Sequence, residues 1–365
     1  MAKNQKINTL LEKAINLDFL NHEEALFLYK NASLSKLLFT ANQIREKLHP
    51  NNIVSYIIDR NINLTNICFS NCLFCNFCRN KNSDDAYVLS IKEYIEKIDV
   101  LKSLGGNQIL LQGGMNPDLK LDFYLRLFKE LKQIYPDLKL HALGPPEIAF
   151  IAKQEGISTK QCLELLINAG LDSLPGAGAE ILSDRVRKIV SPAKASTEEW
   201  LKIMQEAHQL GLTSSATMMF GHLETLEERI EHFIKLRNVQ EIKPKNSKGF
   251  ISFTAWPVAG ESTKLLKKFP KIKPITSTEF LKTLAMSRII LPNIPNIQVS
   301  WLTMGKEIAQ LALHGGANDM SSIMIEENVV SQAGKNFKLG VKEMEETILQ
   351  AGFIPKLRNQ EYEYL

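Results

Sequence analysis

The chain has 365 residues, 44% of them hydrophobic and 23% charged, with a formal net charge of +4. This is ordinary globular composition with ample core, which excludes a disordered or collagen-like chain. Near-balanced charge argues against a nucleic-acid stripe, and no stretch reads as a transmembrane span or secretory signal, so a cytoplasmic protein with no nucleic-acid or membrane partner is expected.

The first fifty residues read as helix only. Asn21-His22-Glu23-Glu24 opens one helix, and Ser33–His49 carries apolar residues at helical spacing (Leu34, Leu37, Leu38, Ala41, Ile44 and Leu48). Strand-like and helix-like pieces then alternate. The short apolar runs are 53–58, 62–64, 108–111, 138–143, 171–174, 214–220, 250–256, 297–301 and 322–325. Ser90-x-x-Glu93 and Ser196-x-x-Glu199 read as capping boxes, and Gly105-Gly106, Gly156, Gly170 and Gly211 as helix stops. About eight such units of roughly 30 to 40 residues predict an α/β fold, best a TIM-like (β/α)8 barrel, with a doubly wound sheet as second choice. The expected layout is a helical extension over 1–50, the barrel over 51–352 and a C-terminal tail over 353–365. In such a barrel, functional side chains lie just after the strands.

Four of the five cysteines fall within ICFSNCLFCNFCRN (67–80). Disulfides suit an oxidising compartment, a closed zinc site ordinarily pairs two well-separated knuckles, and ferredoxins use another order of spacings followed by proline. The remaining reading is that Cys68, Cys72 and Cys75 hold three irons of a [4Fe-4S] cluster and leave the fourth iron open. Cys78 is surplus to that set, and Cys162 reads as a small buried hydrophobe.

C-x3-C-x2-C after the first barrel strand, with Phe74 before the last cysteine, resembles the radical S-adenosylmethionine (SAM) superfamily. That resemblance implies that the open iron binds the amino and carboxylate groups of SAM, and that reduction yields methionine and a 5′-deoxyadenosyl radical. The strings DRNINLTNIC (59–68), QILLQGGMNPDL (108–119), DSLPGAGAEIL (172–182), ATMMFGHLETLEERIEH (216–232) and GANDMSSIMIEENVVSQAG (316–334) are similar to the family of dehypoxanthine futalosine cyclases of menaquinone biosynthesis. Aminofutalosine synthases and the tyrosine-using subunit of FO synthase are the neighbouring families. Two stretches depart from the pattern: Ala255-Trp256-Pro257-Val258-Ala259 stands where Pro-Trp-x-Phe-Gln is usual, and Leu143-Gly144-Pro145 where Phe-Ser-Pro is usual.

The resemblance implies that Gln112-Gly113-Gly114 lies along the methionine part of SAM, and that Met219-Phe220-Gly221-His222 lies beside its adenine. In Pro175–Glu180, the small Gly176 and Gly178 permit close approach of a ligand, and Glu180 is placed to accept from a ribose. Arg187, like Arg185, could pair with a carboxylate through its guanidinium fork. Ring closure must release a proton. The adjacent Glu326 and Glu327 are the first candidates to accept it, with Glu147 behind them. His141 is a further polar candidate, and Trp256 and Trp301 cap strands. The implied partners are a nucleoside-derived small-molecule substrate and a low-potential electron donor such as flavodoxin or ferredoxin; a homodimer is left open.

Overall fold

The computed structural model describes residues 2–258, 262–326 and 339–365. Ten strands form one parallel sheet: β1 (Ile53–Ile57), β2 (Asp59–Asn63), β3 (Gln108–Gln112), β4 (Lys139–Ala142), β5 (Ser173–Leu174), β6 (Thr213–Phe220), β7 (Phe250–Pro257), β8 (Asn296–Gln298), β9 (Asp319–Ser322) and β10 (Ile354–Leu357). Their order is β10-β1-β9-β8-β7-β6-β5-β4-β3-β2. Only Ile58 separates β1 from β2, so the two are halves of one kinked strand. The first half pairs with β9 and β10 and the second with β3, so the order returns on itself and the sheet curls into a barrel. Crossovers through helices between parallel strands give the expected α/β barrel.

The helices form where caps and apolar spacing agree. Ser90 accepts from the Glu93 N–H while Glu93 accepts from the Ser90 N–H at 2.7 Å, closing the predicted box. At Ser196 only the forward half is made, to the Glu199 N–H at 3.1 Å. The helix Leu121–Ile134 buries Leu121, Tyr124, Leu127, Phe128 and Leu131 at spacings of three and four, and turns Asp122, Arg126 and Glu130 to solvent. Three helices cover the first fifty residues, and they pack on the barrel wall. Tyr29 donates to Glu279 at 2.7 Å, while Arg229 donates both to Tyr29 and to Glu279.

The final predicted strand lies earlier than its apolar run suggests, at 319–322 instead of 322–325. A buried aspartate begins it because a partner is waiting. Arg358 donates to both Asp319 oxygens, at 2.5 and 3.1 Å, and Ser55 donates to one at 2.6 Å. That partner comes from the C-terminal tail. After β10 the chain crosses the N-terminal end of the barrel, laying the Tyr362 ring 3.8 Å from the Arg358 guanidinium. Gln298 donates to the Tyr362 hydroxyl at 3.0 Å, and Thr213, at the start of β6, donates to Glu361 at 2.9 Å. The tail closes the barrel from below.

Candidate active site

The barrel encloses a cavity of about 430 Å3 that opens at the C-terminal ends of the strands. Its mouth is the cysteine loop that follows β2, and its floor includes Arg358 and Gln360 of the tail. Cys68, Cys72, Cys75, Cys78 and Phe74 all line it.

The loop is held by its own backbone. The Cys68 N–H donates to the Arg79 carbonyl at 3.1 Å, the Arg79 N–H returns to Asn66 at 2.8 Å, and Leu73 N–H reaches Val190 at 2.8 Å. The Met115 N–H, just past β3, donates to the Cys68 sulfur at 3.3 Å. Ser70 Oγ stands between Cys68 Sγ at 3.0 Å and Cys72 Sγ at 3.4 Å. The adjacent Cys78 thiol, the Ser70 hydroxyl and the Met115 N–H hold Cys68 down at about 5, against an ordinary thiol value of 9. Burial pushes Cys72 the other way, opposed by the Lys194 ammonium.

These donors fit an iron–sulfur cluster. Three thiols of one short loop face one cavity, one of them already biased toward thiolate, the form that ligates iron. Among the described residues no group of three or more His, Cys, Asp or Glu side chains converges on a single-ion position. Cys78, surplus to that set, donates its thiol to the Cys68 carbonyl at 3.1 Å and borders the same space.

Beside the loop lies a charged group that spacing did not reveal as a unit. Lys194 donates to Glu180 at 2.9 Å and sits 5.5 Å from the centre of the Phe74 ring. Burial alone would neutralise Lys194, but Cys72 and Glu180 keep it charged, well above its ordinary value. Glu180, Lys194 and Glu147 all line the cavity. Burial lifts Glu147 from 4.5 to about 7, in spite of Lys194 nearby. Lys194 was missed because it sits in a short Ser-Pro-Ala-Lys loop between two helices, far in sequence from Cys72 and Glu147. A lone lysine before a helix cap gives no sequence signal.

Gln112, Gly113, Gly114, Gly178 and Met219 line the cavity, whereas Gly176 and Gly221 are not among its lining residues. Gly114 serves first to seat the cysteine loop. A Cβ there would lie 2.1 Å from the Ile67 carbonyl oxygen and 2.9 Å from the Cys68 Cβ. Gly176 likewise lets its loop press on β6, where a Cβ would meet the Ser215 carbonyl at 2.4 Å. Gly221, at φ +84°, donates its N–H to Glu224 at 2.6 Å, and His222 contacts the Met219 carbonyl at 3.0 Å, a turn that ties off β6.

Two expectations are corrected by geometry. Arg187 presents no fork to a ligand carboxylate, since its buried guanidinium donates to the carbonyls of Gly178, Ala179 and Ala195 and braces the loops carrying Glu180 and Lys194. Glu326 does not face the cavity. Arg60 holds it at 2.7 Å and Lys97 at 2.7 Å, and a carboxylate clamped by two cations is a poor proton acceptor. Because β9 ends at Ser322, Glu326 falls four residues beyond it, outside the wall. Glu327 and Ala259 lie outside the described residues. Trp256, Pro257 and Val258 of the atypical stretch do form part of the wall.

Residues 62–236 match the model of the radical SAM superfamily, and 247–365 match that of the CofH/MqnC C-terminal region. A cyclic dehypoxanthine futalosine synthase of Halalkalibacterium halodurans is 39% identical over 98% of this chain and 95% of its own length. The chain belongs to the radical SAM superfamily, in its CofH/MqnC branch. Superfamily members use a [4Fe-4S] cluster and SAM, and this chain is an enzyme of that kind. A cyclic dehypoxanthine futalosine synthase of Streptomyces coelicolor is 38% identical over 100% of the chain and 90% of its own length. A 5-amino-6-(D-ribitylamino)uracil–L-tyrosine 4-hydroxyphenyl transferase of Methanosarcina mazei is 38% identical over 93% of the chain and 87% of its own length. Among solved structures, the FeFe-hydrogenase maturase HydG of Carboxydothermus hydrogenoformans superposes with a TM-score of 0.73 over 98% of this chain and 81% of its own, at 18% identity. Methylornithine synthase (PylB) does so with 0.70 over 95% and 97%, at 19% identity. Among the described residues no helix is long and apolar enough to cross a membrane.

Proposed function

We propose that this enzyme converts dehypoxanthine futalosine to its cyclic product in menaquinone biosynthesis. The observation that carries the reading is a cysteine-mouthed cavity with a closed floor, in a chain that aligns end to end with two cyclic dehypoxanthine futalosine synthases. The cluster and SAM together supply a carbon radical able to take a hydrogen atom from an unactivated sugar carbon.

The chain's own residues do the rest. Cys68, Cys72 and Cys75 would ligate the cluster. Glu180, steadied by Lys194, accepts hydrogen bonds at the SAM end, and Gln112–Gly114 offers backbone beside it. The barrel wall and the tail exclude water, which protects a substrate radical and holds the sugar carbon against the aromatic ring it attacks. Overall the substrate loses two hydrogens: one leaves as an atom to the 5′-deoxyadenosyl radical, the other as a proton to a base and an electron that would return to the oxidised cluster. Glu147, neutral or ionised near pH 7, is the cavity carboxyl best suited to take that proton. The electron for SAM cleavage comes from a low-potential protein donor, flavodoxin or ferredoxin, in the cytoplasm.

Anaerobic incubation of the iron-loaded enzyme with SAM, dithionite and dehypoxanthine futalosine tests this. A product two hydrogens lighter, formed with 5′-deoxyadenosine, supports the reading. Product formed only from 5-amino-6-(D-ribitylamino)uracil and tyrosine would move the chain to the transferase side of its branch.

A further inference from the structure

Most polar side chains of the lumen are paired with one another. His141 meets the Ser173 hydroxyl at 2.7 Å, Gln298 donates to Tyr362, Thr254 donates to Gln298, and Arg358 is occupied by Asp319. Of the buried side-chain atoms that lack a hydrogen-bond partner among the described residues, two belong to cavity-lining residues: Asn61 Oδ1 and Gln108 Oε1. Asn61 is 9% exposed and Gln108 1%. They stand on adjacent parallel strands, β2 and β3, and face the same lumen; Asn61 pairs in register with Leu110, two residues above Gln108. The Gln108 amide donates weakly, at 3.3 Å, to Asp59, which is itself tied to Ser322.

Buried amide oxygens without partners are uncommon, because the lost hydration is not returned by folding. A carboxamide offers an acceptor oxygen beside a donor nitrogen. The unpaired atoms here are both acceptor oxygens, so the best complement of each is a hydroxyl that donates to it, and the two together match two hydroxyls of one ligand. Neither amide carries charge, so the site favours a neutral polyol over an anion. Both residues are buried and line the same cavity as the cysteine loop.

We propose that Asn61 and Gln108 form the subsite that recognises the hydroxyl groups of the substrate's sugar, so setting its depth and orientation below the radical source. This rests on the reading of the chain as a sugar-cyclising radical SAM enzyme and names the residues that select its substrate. An enzyme built this way discriminates against analogues that lack one hydroxyl, since an orphan amide then stays unpaired.

The test compares dehypoxanthine futalosine with its mono-deoxy sugar analogues on wild type, Asn61→Ala, Gln108→Met and the shape-preserving Asn61→Asp, with kcat/KM measured under anaerobic conditions. Wild type should disfavour at least one analogue by about tenfold or more, or about 1.4 kcal/mol. Asn61→Ala or Gln108→Met should erase that discrimination mainly through a higher KM for the parent substrate, while Asn61→Asp, which keeps an acceptor oxygen, retains part of it. A structural role alone would lower the melting temperature without changing the ratio between parent and analogue. Undiminished discrimination in both Asn61→Ala and Gln108→Met overturns the proposal, as does a wild type indifferent to every deoxy analogue. If wild type turns over only the ribitylamino-uracil, the cyclase reading falls, and the same variants are scored on that polyol's deoxy analogues. Turnover of neither substrate by wild type overturns both.

Discussion

Replacing Arg358 with Met tests how the C-terminal tail seals the barrel. The change keeps much of the apolar stem and removes the guanidinium, leaving Asp319 buried among β1, β8 and β9 with its main counter-charge gone. Breaking one side of a buried ion pair costs about 3–5 kcal/mol, far more than the pair's net worth. Ser55 and the Ser321 N–H, at 2.6 and 2.7 Å, still donate to the carboxylate, which favours the lower end of that range. With unfolding entropy of roughly 2.1 cal/mol/K per residue, each kcal/mol is about 1.3 °C in a chain of 365 residues, so Tm should fall by about 4–7 °C. Scanning calorimetry of the reduced apo-protein measures it. The double variant Arg358→Met/Asp319→Asn should recover a good part of the loss, since the stranded charge is then gone as well. A loss below about 1 kcal/mol in the single variant, or no recovery in the double, would refute the claim that the tail is locked into the floor by this pair.

Cys68→Ala, Cys72→Ala and Cys75→Ala should each abolish SAM cleavage and lower bound iron, whereas Cys78→Ala should keep most of both; iron assay and 5′-deoxyadenosine yield decide this. Gly114→Val should lose iron as well as SAM affinity, because the added side chain strikes the backbone of the cysteine loop at Ile67; normal iron content would show that the loop gives way freely. Burial raises Glu147 from 4.5 to about 7, so the stability of the apo-protein that depends on its neutral form is complete below about pH 4.5 and lost as pH rises through 7. Melting curves of wild type should therefore fall relative to Glu147→Gln by about 2–3 kcal/mol across that window, and parallel curves would place the carboxyl in a wetter setting. Glu326→Gln should leave the ratio of product to 5′-deoxyadenosine unchanged and cost about 1 kcal/mol of stability, read by chemical denaturation.

The cysteine motif and the helix caps were legible because they are local: four thiols within eleven residues and a serine three residues before a glutamate depend on nothing remote. The barrel followed from the alternation of apolar runs. What could not be read is what distant residues supply. Arg358, Gln360 and Glu361 look like a solvated polar tail until β10 carries them under the barrel to Asp319, His141 and Thr213. Asp319 looked like loop for the same reason, and that shifted the last strand and moved Glu326 into the expected site. Lys194 and Glu180 meet across fourteen residues of loop and helix, and only the folded chain shows Cys72 beside them. The orphan amides of Asn61 and Gln108 were invisible because an unpaired atom is a property of its surroundings.

The most direct test follows the hydrogen atom. Dehypoxanthine futalosine deuterated on its sugar carbons, incubated anaerobically with the iron-loaded enzyme, SAM and reductant, should deliver deuterium into 5′-deoxyadenosine and yield the cyclised product in near-equal amount. Unlabelled 5′-deoxyadenosine, or labelled 5′-deoxyadenosine with no cyclised product, would contradict the account.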